Sequence, residues 1–477
     1  MKFRSFLLVT FSLAVLGSLS ADETKPNVLF LISDDLSTAL SGFGHPQCQT
    51  PHLDRLAERG VRFENMHCQY PVCGASRASI MTGQYPYTNG TLSNTGVKRA
   101  ENPALLTLPQ LFRQNGYRVA RVSKIYHMNI PMDIEAGDTK FDDAESWDVA
   151  INVKAPEHHA EGVHADWSPA FRGSQGFRSV EATGTDSDHA DGMAADRAIE
   201  MLDQLKDDPF FLAVGFVRPH VPLVAPAKYF EMYDREEMIA PEVPEDDLND
   251  VPAIIRGYKA REAWGVTPEL HKGLLEAYYA SISYMDAQVG RVMDALDERG
   301  LTKKTIIIFT SDHGYLLGEH HKYQKQHLFE ESTRVPFIFS VPWMAAQHGQ
   351  ATSRITELVD FFPTVTDLVG FRRPGAIQGS SLLPLLEDPD AETWAREDAF
   401  TISRSGGESV RTEAWRFTHW GWGEKGKELY DRVNDPGEFT NLADHPDFAE
   451  IQAQMEERLL RRREAAGFRI DVHAKRK

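Results

Sequence analysis

Two stretches of the chain are apolar without interruption and end alike. Residues 27–33, NVLFLIS, run into Asp34-Asp35, and residues 305–311, TIIIFTS, run into Asp312-His313. Unbroken apolar runs of this length suit strands covered on both faces, as in a parallel sheet. Residues 118–122 and 209–217 read as further strands. Between them the pattern takes the helical period. Residues 51–59 open on Pro51 and stop at Gly60, the usual asymmetry of a helix start and end. Residues 108–115, closed by Gly116, and 189–205 predict two more helices. A long one spans 268–299, where Leu275, Tyr278, Ile282, Met285, Val289 and Leu296 share one face and Gly300 follows. This alternation predicts an α/β domain, a large and mostly parallel sheet between helices, over residues 22–385. Beyond 385 the pattern changes to short strands at 399–403, 414–420 and 428–430. A charged helix at 448–466 follows, with its Glu and Arg residues read as a solvated face. Residues 386–477 are therefore expected to form a smaller α+β subdomain with a small antiparallel sheet.

The first residues look like a processing segment. Lys2 and Arg4 precede an apolar stretch at 6–16 and small residues at 18–21. A signal peptide over residues 1–21 is expected, too short to span a membrane. The mature chain is then exported without a membrane span, to a periplasm or the cell exterior, or to a lysosome in an animal host. The formal charge is −19, and removing Lys2 and Arg4 takes it to −21. That excludes general nucleic-acid binding, which needs a basic face. A small anionic substrate stays possible, since a local cationic pocket can oppose the global field. Three cysteines in an exported chain permit one disulfide; Cys48 with Cys68 would leave Cys73 over, but spacing does not decide connectivity.

In open α/β sheets, ligands bind beyond the carboxyl ends of the strands. The two matched strands thus deliver Asp34, Asp35, Asp312 and His313 to one edge. Hard oxygen donors of this kind suit calcium or magnesium. Aspartate is also common in turns, so the weight rests on the repeat at two strand ends. His313 is then a peripheral ligand or a donor behind the carboxylates. Cys73 precedes a helix predicted at 75–81, where backbone N–H groups favour an anion such as a thiolate. A soft sulfur beside hard-metal carboxylates is nevertheless a mismatch, and an oxygen nucleophile would fit better. A buried structural cysteine is the plain alternative.

The segment Cys73-Gly74-Ala75-Ser76-Arg77, followed by Thr82-Gly83, resembles the signature of the sulfatase family, in which the cysteine is oxidised after synthesis to formylglycine. The surrounding order is similar too: NVLFLISDD from 27, TPHLDRLAERGVRFEN from 50, SKIYH at 123–127, FFLAVGFVRPHVP at 210–222, SDHGYLLGEH at 311–320 and ELYDRVNDPGEFTNLA at 428–443. The resemblance covers nearly the whole mature chain and is strongest to the iduronate-2-sulfatase group. It implies an alkaline-phosphatase-like fold and hydrolysis of a sulfate ester on a carbohydrate. It implies one calcium ion per chain, held by Asp34, Asp35, Asp312, His313 and residue 73. It implies a formylglycine hydrate made from Cys73, of which one hydroxyl attacks sulfur and the other later expels sulfate. A formylglycine-generating or other sulfatase-maturing enzyme is the implied partner.

By the same likeness, Arg77, one helical turn from Cys73, faces the diol and the metal. Lys124 holds the diol and sulfate, and His127 polarises the diol or collapses the intermediate. His220 protonates the leaving alcohol, and Lys325 clamps the sulfate. His320, His321, Lys322 and His327 crowd the Lys325 loop; they are expected to be solvated, with one or two reaching substrate. The acidic run at 186–191, DSDHAD, reads as a helix start rather than a second metal site, and the loop at 128–188 as a wall of the sugar pocket. The chain departs from the family pattern at Ala75, where proline is usual, and at His52, where asparagine is usual. Two other readings stay open: a phosphate or phosphonate ester hydrolase, and a non-catalytic sulfated-glycan-binding protein whose residue 73 stays a thiol.

Overall fold

The computed structural model describes residues 25–468 apart from 172, 174 and 259–262. The expected signal peptide, 1–21, lies outside the described residues. Eight strands form one sheet: β1 (Asn27–Asp34), β2 (Val61–His67), β3 (Arg118–Ser123), β4 (Val149–Ile151), β5 (Phe210–Pro219), β6 (Thr305–Ser311), β7 (Arg334–Ser340) and β8 (Ala351–Glu357). Their order is β8-β2-β7-β6-β1-β5-β3-β4, and β7 alone runs against the rest.

The apolar runs have a direct explanation. On β1, Leu29 and Leu31 point into one core with Leu212, Val214, Ile307 and Phe309. Val28, Phe30 and Ile32 point into a second core with Phe211, Ala213, Ile306 and Ile308. Side chains alternate across a strand, so a strand buried on both faces has no polar position to offer. Each such side chain contributes about 1.5–3 kcal/mol through burial. The first core is closed by the helices at Ala190–Leu205 and Pro268–Glu298. The second is closed by the helix at Cys73–Thr82, through Ile80 and Met81, and by the helix at Phe361–Leu368, whose Phe361 stacks on Phe30 with ring centroids 4.6 Å apart. Three of these four helices are α1 (Cys73–Thr82), α2 (Ala190–Leu205) and α3 (Pro268–Glu298).

The two cores also settle the cysteines. All three are free and buried. Cys48 belongs to the first core and Cys68 to the second, so the sheet stands between them. A disulfide needs Cα atoms within about 7 Å, and the Cys48–Cys68 pairing that the spacing left open is not formed.

The C-terminal sheet is a four-stranded antiparallel meander of Asp398–Ser403, Gly407–Thr412, Trp415–His419 and Lys427–Asp431, backed by a helix at Ala449–Ala465. The helix is mostly solvated as expected, while Met455 and Leu459 are buried. Phe400, Ile402, Val410, Phe417 and Leu429 form a third core that reaches Val72 and Ala75. The Thr401 hydroxyl donates to the Cys68 carbonyl at 2.6 Å, and the Ile402 N–H to the Gln69 carbonyl at 2.9 Å. The subdomain thus braces the chain just before α1. Among the described residues no helix is long and apolar enough to cross a membrane.

Candidate active site

Because β1 lies between β5 and β6, with β3 next to β5, four carboxyl ends meet at one edge. Backbone shape then turns side chains inward. Asp35 (φ 60°), Ser123 (φ 58°), Gln324 (φ 66°) and Gln326 (φ 74°) are all left-handed. Non-glycine residues seldom adopt this region, and such residues persist where their surroundings enforce them. Here they are a metal-type aspartate, the residue before Lys124, and the two neighbours of Lys325.

Helix α1 supplies the centre. Gly74 is required because a Cβ there would lie 2.5 Å from the Ser93 carbonyl oxygen and 2.8 Å from the Asn94 Cα. The Gly74 N–H donates to Asn94 Oδ1 at 3.0 Å, fixing the first turn. Cys73, Ser76 and Arg77 fall on one helix face. The Cys73 Sγ lies 3.2 Å from Lys325 Nζ, 3.4 Å from His313 Nε2 and 3.9 Å from Asp35 Oδ1. Ser76 donates to the Asp312 carbonyl. Ala75 points the other way, into the C-terminal core, so the departure from proline falls outside the site.

Arg77 is fully buried, and its donors are taken. Nε donates to Asp312 Oδ2 at 2.8 Å, Nη2 to Asp34 Oδ1 at 3.2 Å, and Nη1 to the carbonyls of Lys124 and Ile125 at 2.7 and 3.1 Å. It therefore faces the metal-type carboxylates, as the likeness implied for the metal, and holds them in place. Lys124 pairs with Asp34, and Lys325 with Asp35 at 2.5 Å. Burial pushes the Asp34 carboxyl up, but Lys124, His220, Arg77 and Lys325 together hold it well below the usual range. Asp35 is likewise held low, against burial, by Lys325 and His220.

Oxygen atoms of Asp34, Asp35 and Asp312 all lie within 4.8 Å of one another, as do ligand atoms of Asp35, Cys73 and His313. Three buried carboxylates converging on one point fit a hard divalent cation such as calcium. Three carboxylates face Arg77, Lys124 and Lys325, so the formal charges cancel. A divalent cation added to this set makes it net positive.

The histidines differ in their support. His313 Nδ1 faces the Gly314 carbonyl at 2.9 Å, which turns Nε2 toward Cys73 and Asp35. His220 Nδ1 faces the Val221 carbonyl at 2.6 Å, leaving Nε2 3.7 Å from Asp35 Oδ2. Burial lowers its pKa to about 4, with Asp35 opposing. His127 is lowered to about 3 by burial and Lys124. Both rings are neutral near pH 7.

The sequence reading missed the frame behind His220. Asp191, in the DSDHAD run, is buried and accepts from the Val217 and Arg218 N–H groups at 2.7 and 3.0 Å. Ser33 donates to the Arg218 carbonyl at 2.6 Å. Arg218 in turn pairs with Glu157 at 2.5 Å and donates to the carbonyls of His220 and Pro222 at 2.8 and 2.7 Å. Glu157 lies in the 128–188 loop, which thus reaches the site through a buried ion pair. Asp191→Asn replaces one acceptor with a donor and leaves a buried N–H unpaired, at a cost of about 1–3 kcal/mol. Chemical denaturation should show that loss. Because the His220 turn is no longer pinned, kcat should also fall, by about tenfold or more, with KM little changed.

The rest of the acidic run caps the chain before α2. Asp188 and Thr185 form a capping box, and Asp186 pairs with Lys228 and Tyr229. The loop cations near Lys325 correct another expectation. His320, Lys322 and His327 are buried rather than solvated. His320 stacks on Phe329 at 3.6 Å and pairs with Asp247. Lys322 Nζ donates to the Ile255 carbonyl at 2.8 Å, and His321 Nε2 lies 2.8 Å from the Pro244 carbonyl. All three brace the loop.

Charge arranged in this way at the C-terminal edge of an α/β sheet is what hydrolysis of an anionic ester needs, and the protein is a hydrolase of that class. Residues 26–371 match the family model described as Sulfatase, and residues 318–465 match one described as N-sulphoglucosamine sulphohydrolase, C-terminal. The chain belongs to the sulfatase family. It is 32% identical to a sulfatase of Formosa agariphila over 93% of this chain and 89% of that one. It is 30% identical to the iduronate 2-sulfatase of Mus musculus over 78% of this chain and 74% of that one. Its fold superimposes on the phosphonate monoester hydrolase of Agrobacterium radiobacter with a TM-score of 0.79 at 23% identity, covering 92% and 96% of the two chains.

Proposed function

We propose that this sulfatase acts on a sulfated carbohydrate, that Cys73 is matured to formylglycine, and that Asp34, Asp35, Asp312 and His313 hold one calcium ion. The observation that carries the reading is the placement of Cys73. Burial pushes its thiol pKa far up, with Lys325 opposing, so at neutral pH the residue stays a thiol and a poor nucleophile. Sulfur also suits neither calcium nor its carboxylates. Conversion to an oxygen nucleophile at the same position removes both conflicts. The modified residue would supply a hydroxyl for attack on sulfur, and the cation would neutralise sulfate oxygens.

This chain's own residues do the rest. Lys325 and Lys124 bind the sulfate, Lys325 from beside residue 73. His127 stands near Lys124 to take a proton from the nucleophile. His220, anchored through Nδ1, presents Nε2 to the leaving oxygen. The negative charge of a bound sulfate raises its pKa toward a value useful for proton donation. His220→Ala should lower kcat about 10²–10⁴-fold on a sugar sulfate, whose alcohol leaves poorly. The same variant should lose far less on an aryl sulfate, whose phenolate needs no proton, a comparison made by steady-state kinetics on both substrates.

A uronic-acid-type sulfated sugar is the substrate we favour, supported by the likeness to iduronate 2-sulfatase. The basic and apolar N-terminus supports export to a periplasm or beyond. The test is to assay matured protein on sulfated disaccharides, on an aryl sulfate and on matching phosphate and phosphonate esters. Preferred turnover of the sulfates supports the reading, and preferred turnover of phosphonate or phosphate esters overturns it.

A further inference from the structure

A second cluster of metal-type side chains lies away from the carboxylates of the active site. Glu135 stands on the short helix Met132–Ala136, and His158 and His159 form the turn Glu157–His159. His158 Nδ1 and His159 Nδ1 both lie 2.9 Å from the same Glu135 oxygen, Oε1. The two imidazoles lie against each other, tilted by 36°, with centroids 3.9 Å apart. His159 hydrogen-bonds to Glu135 Oε1. His158 brings a second nitrogen to the same oxygen, so two rings converge on one acceptor.

Ligands around zinc sit about 2.0–2.2 Å from the metal, which puts neighbouring ligand atoms about 3 Å apart. Each histidine nitrogen lies at about that distance from Glu135 Oε1, and all three ligand atoms fall within 4.8 Å of one another. Two imidazoles and one carboxylate form a borderline set that suits zinc or a similar transition-metal ion, not calcium. His158 and His159 are 43% and 70% exposed and Glu135 is 20% exposed, so an ion from solvent has an open approach and room for water as a further ligand.

We propose that Glu135, His158 and His159 bind one transition-metal ion of the zinc class, separate from the active-site cation. The ion ties the turn to the helix at Met132–Ala136. The same turn begins with Glu157, whose ion pair with Arg218 supports the His220 segment. Occupancy therefore clamps the outer end of that frame.

The test uses full-length mature enzyme loaded with calcium and titrated with Zn²⁺ by calorimetry, and with Co²⁺ followed by visible absorption. Wild type should bind one equivalent of Zn²⁺ that the His158→Ala/His159→Ala double variant does not bind. Removing even an outer support of a metal ligand weakens binding about 10–100-fold, so removing two ligands should exceed that. The Co²⁺ complex should show ligand-field bands that vanish in the double variant. Glu135→Gln, which keeps the side-chain shape, should weaken Zn²⁺ binding in the same direction. Equal Zn²⁺ stoichiometry and affinity in wild type and both variants would overturn the proposal. Activity on a sulfate ester in calcium alone should be unchanged in the double variant, which separates this site from the catalytic one.

Discussion

Cys73→Ala is expected to lower kcat by about 10⁴-fold or more while the protein stays folded and still binds substrate. Loss of a nucleophile removes the covalent route and leaves only orientation and electrostatic stabilisation, a remainder worth about 10³–10⁴ over water in well-studied hydrolases. Residue 73 is buried against Lys325, His313 and Asp35, and alanine fits the space that the thiol leaves. Steady-state kinetics on a sulfate ester, with binding followed by calorimetry, checks both halves. Activity within tenfold of wild type would place the nucleophile elsewhere. Lost binding with unfolding would mean that the residue is structural, as buried cysteines often are.

The second large effect concerns the cation. The site balances Asp34, Asp35 and Asp312 against Arg77, Lys124 and Lys325. Asp312→Asn removes one partner of Arg77 and one oxygen charge from the metal-type cluster. Breaking a buried pair on one side costs about 3–5 kcal/mol, because the remaining charge is left without its counterpart. Calcium affinity should fall with it, and activity should drop by about 10³-fold, the scale of one lost electrostatic stabiliser. In wild type, chelation should abolish turnover and added calcium should restore it. A calcium concentration 100-fold above Kd should raise the unfolding free energy by about 2.7 kcal/mol, read from denaturant curves with and without the ion. Full activity in chelator would remove the metal from the account.

The strand ends were legible because their signals are local. An apolar run followed by Asp-Asp or Asp-His announces both a buried strand and the acids at its end, and the structure brings Asp34, Asp35, Asp312 and His313 together. Cys73, Lys124, His127, His220 and Lys325 required the family likeness, since no periodicity marks them. The position of Arg77 was legible in part, on its metal side. Helical spacing placed it one turn from Cys73, but the choice between facing residue 73 and clamping Asp34 and Asp312 depends on which carbonyls lie nearby. Asp191 and Glu157 were hidden for the same reason. Each acts on Arg218 or its neighbour across a long sequence separation, and nothing local distinguishes Asp191 from a helix-start aspartate. The strand at Gly407–Thr412 was missed because Val410 alone of its residues enters the core. β7 carries Pro336, yet it is a strand, because the ladder shifts register between Val335 and Phe337 at that proline.

The maturation of Cys73 is the central claim, and mass spectrometry of the tryptic peptide from Phe63 to Arg77 tests it most directly. Protein purified from its native host should yield a peptide with an aldehyde-bearing residue at position 73 and an unmodified thiol at Cys68. That peptide should react with a hydrazide probe. A peptide carrying intact thiols at both Cys68 and Cys73, in enzyme that hydrolyses sulfate esters, would contradict the account.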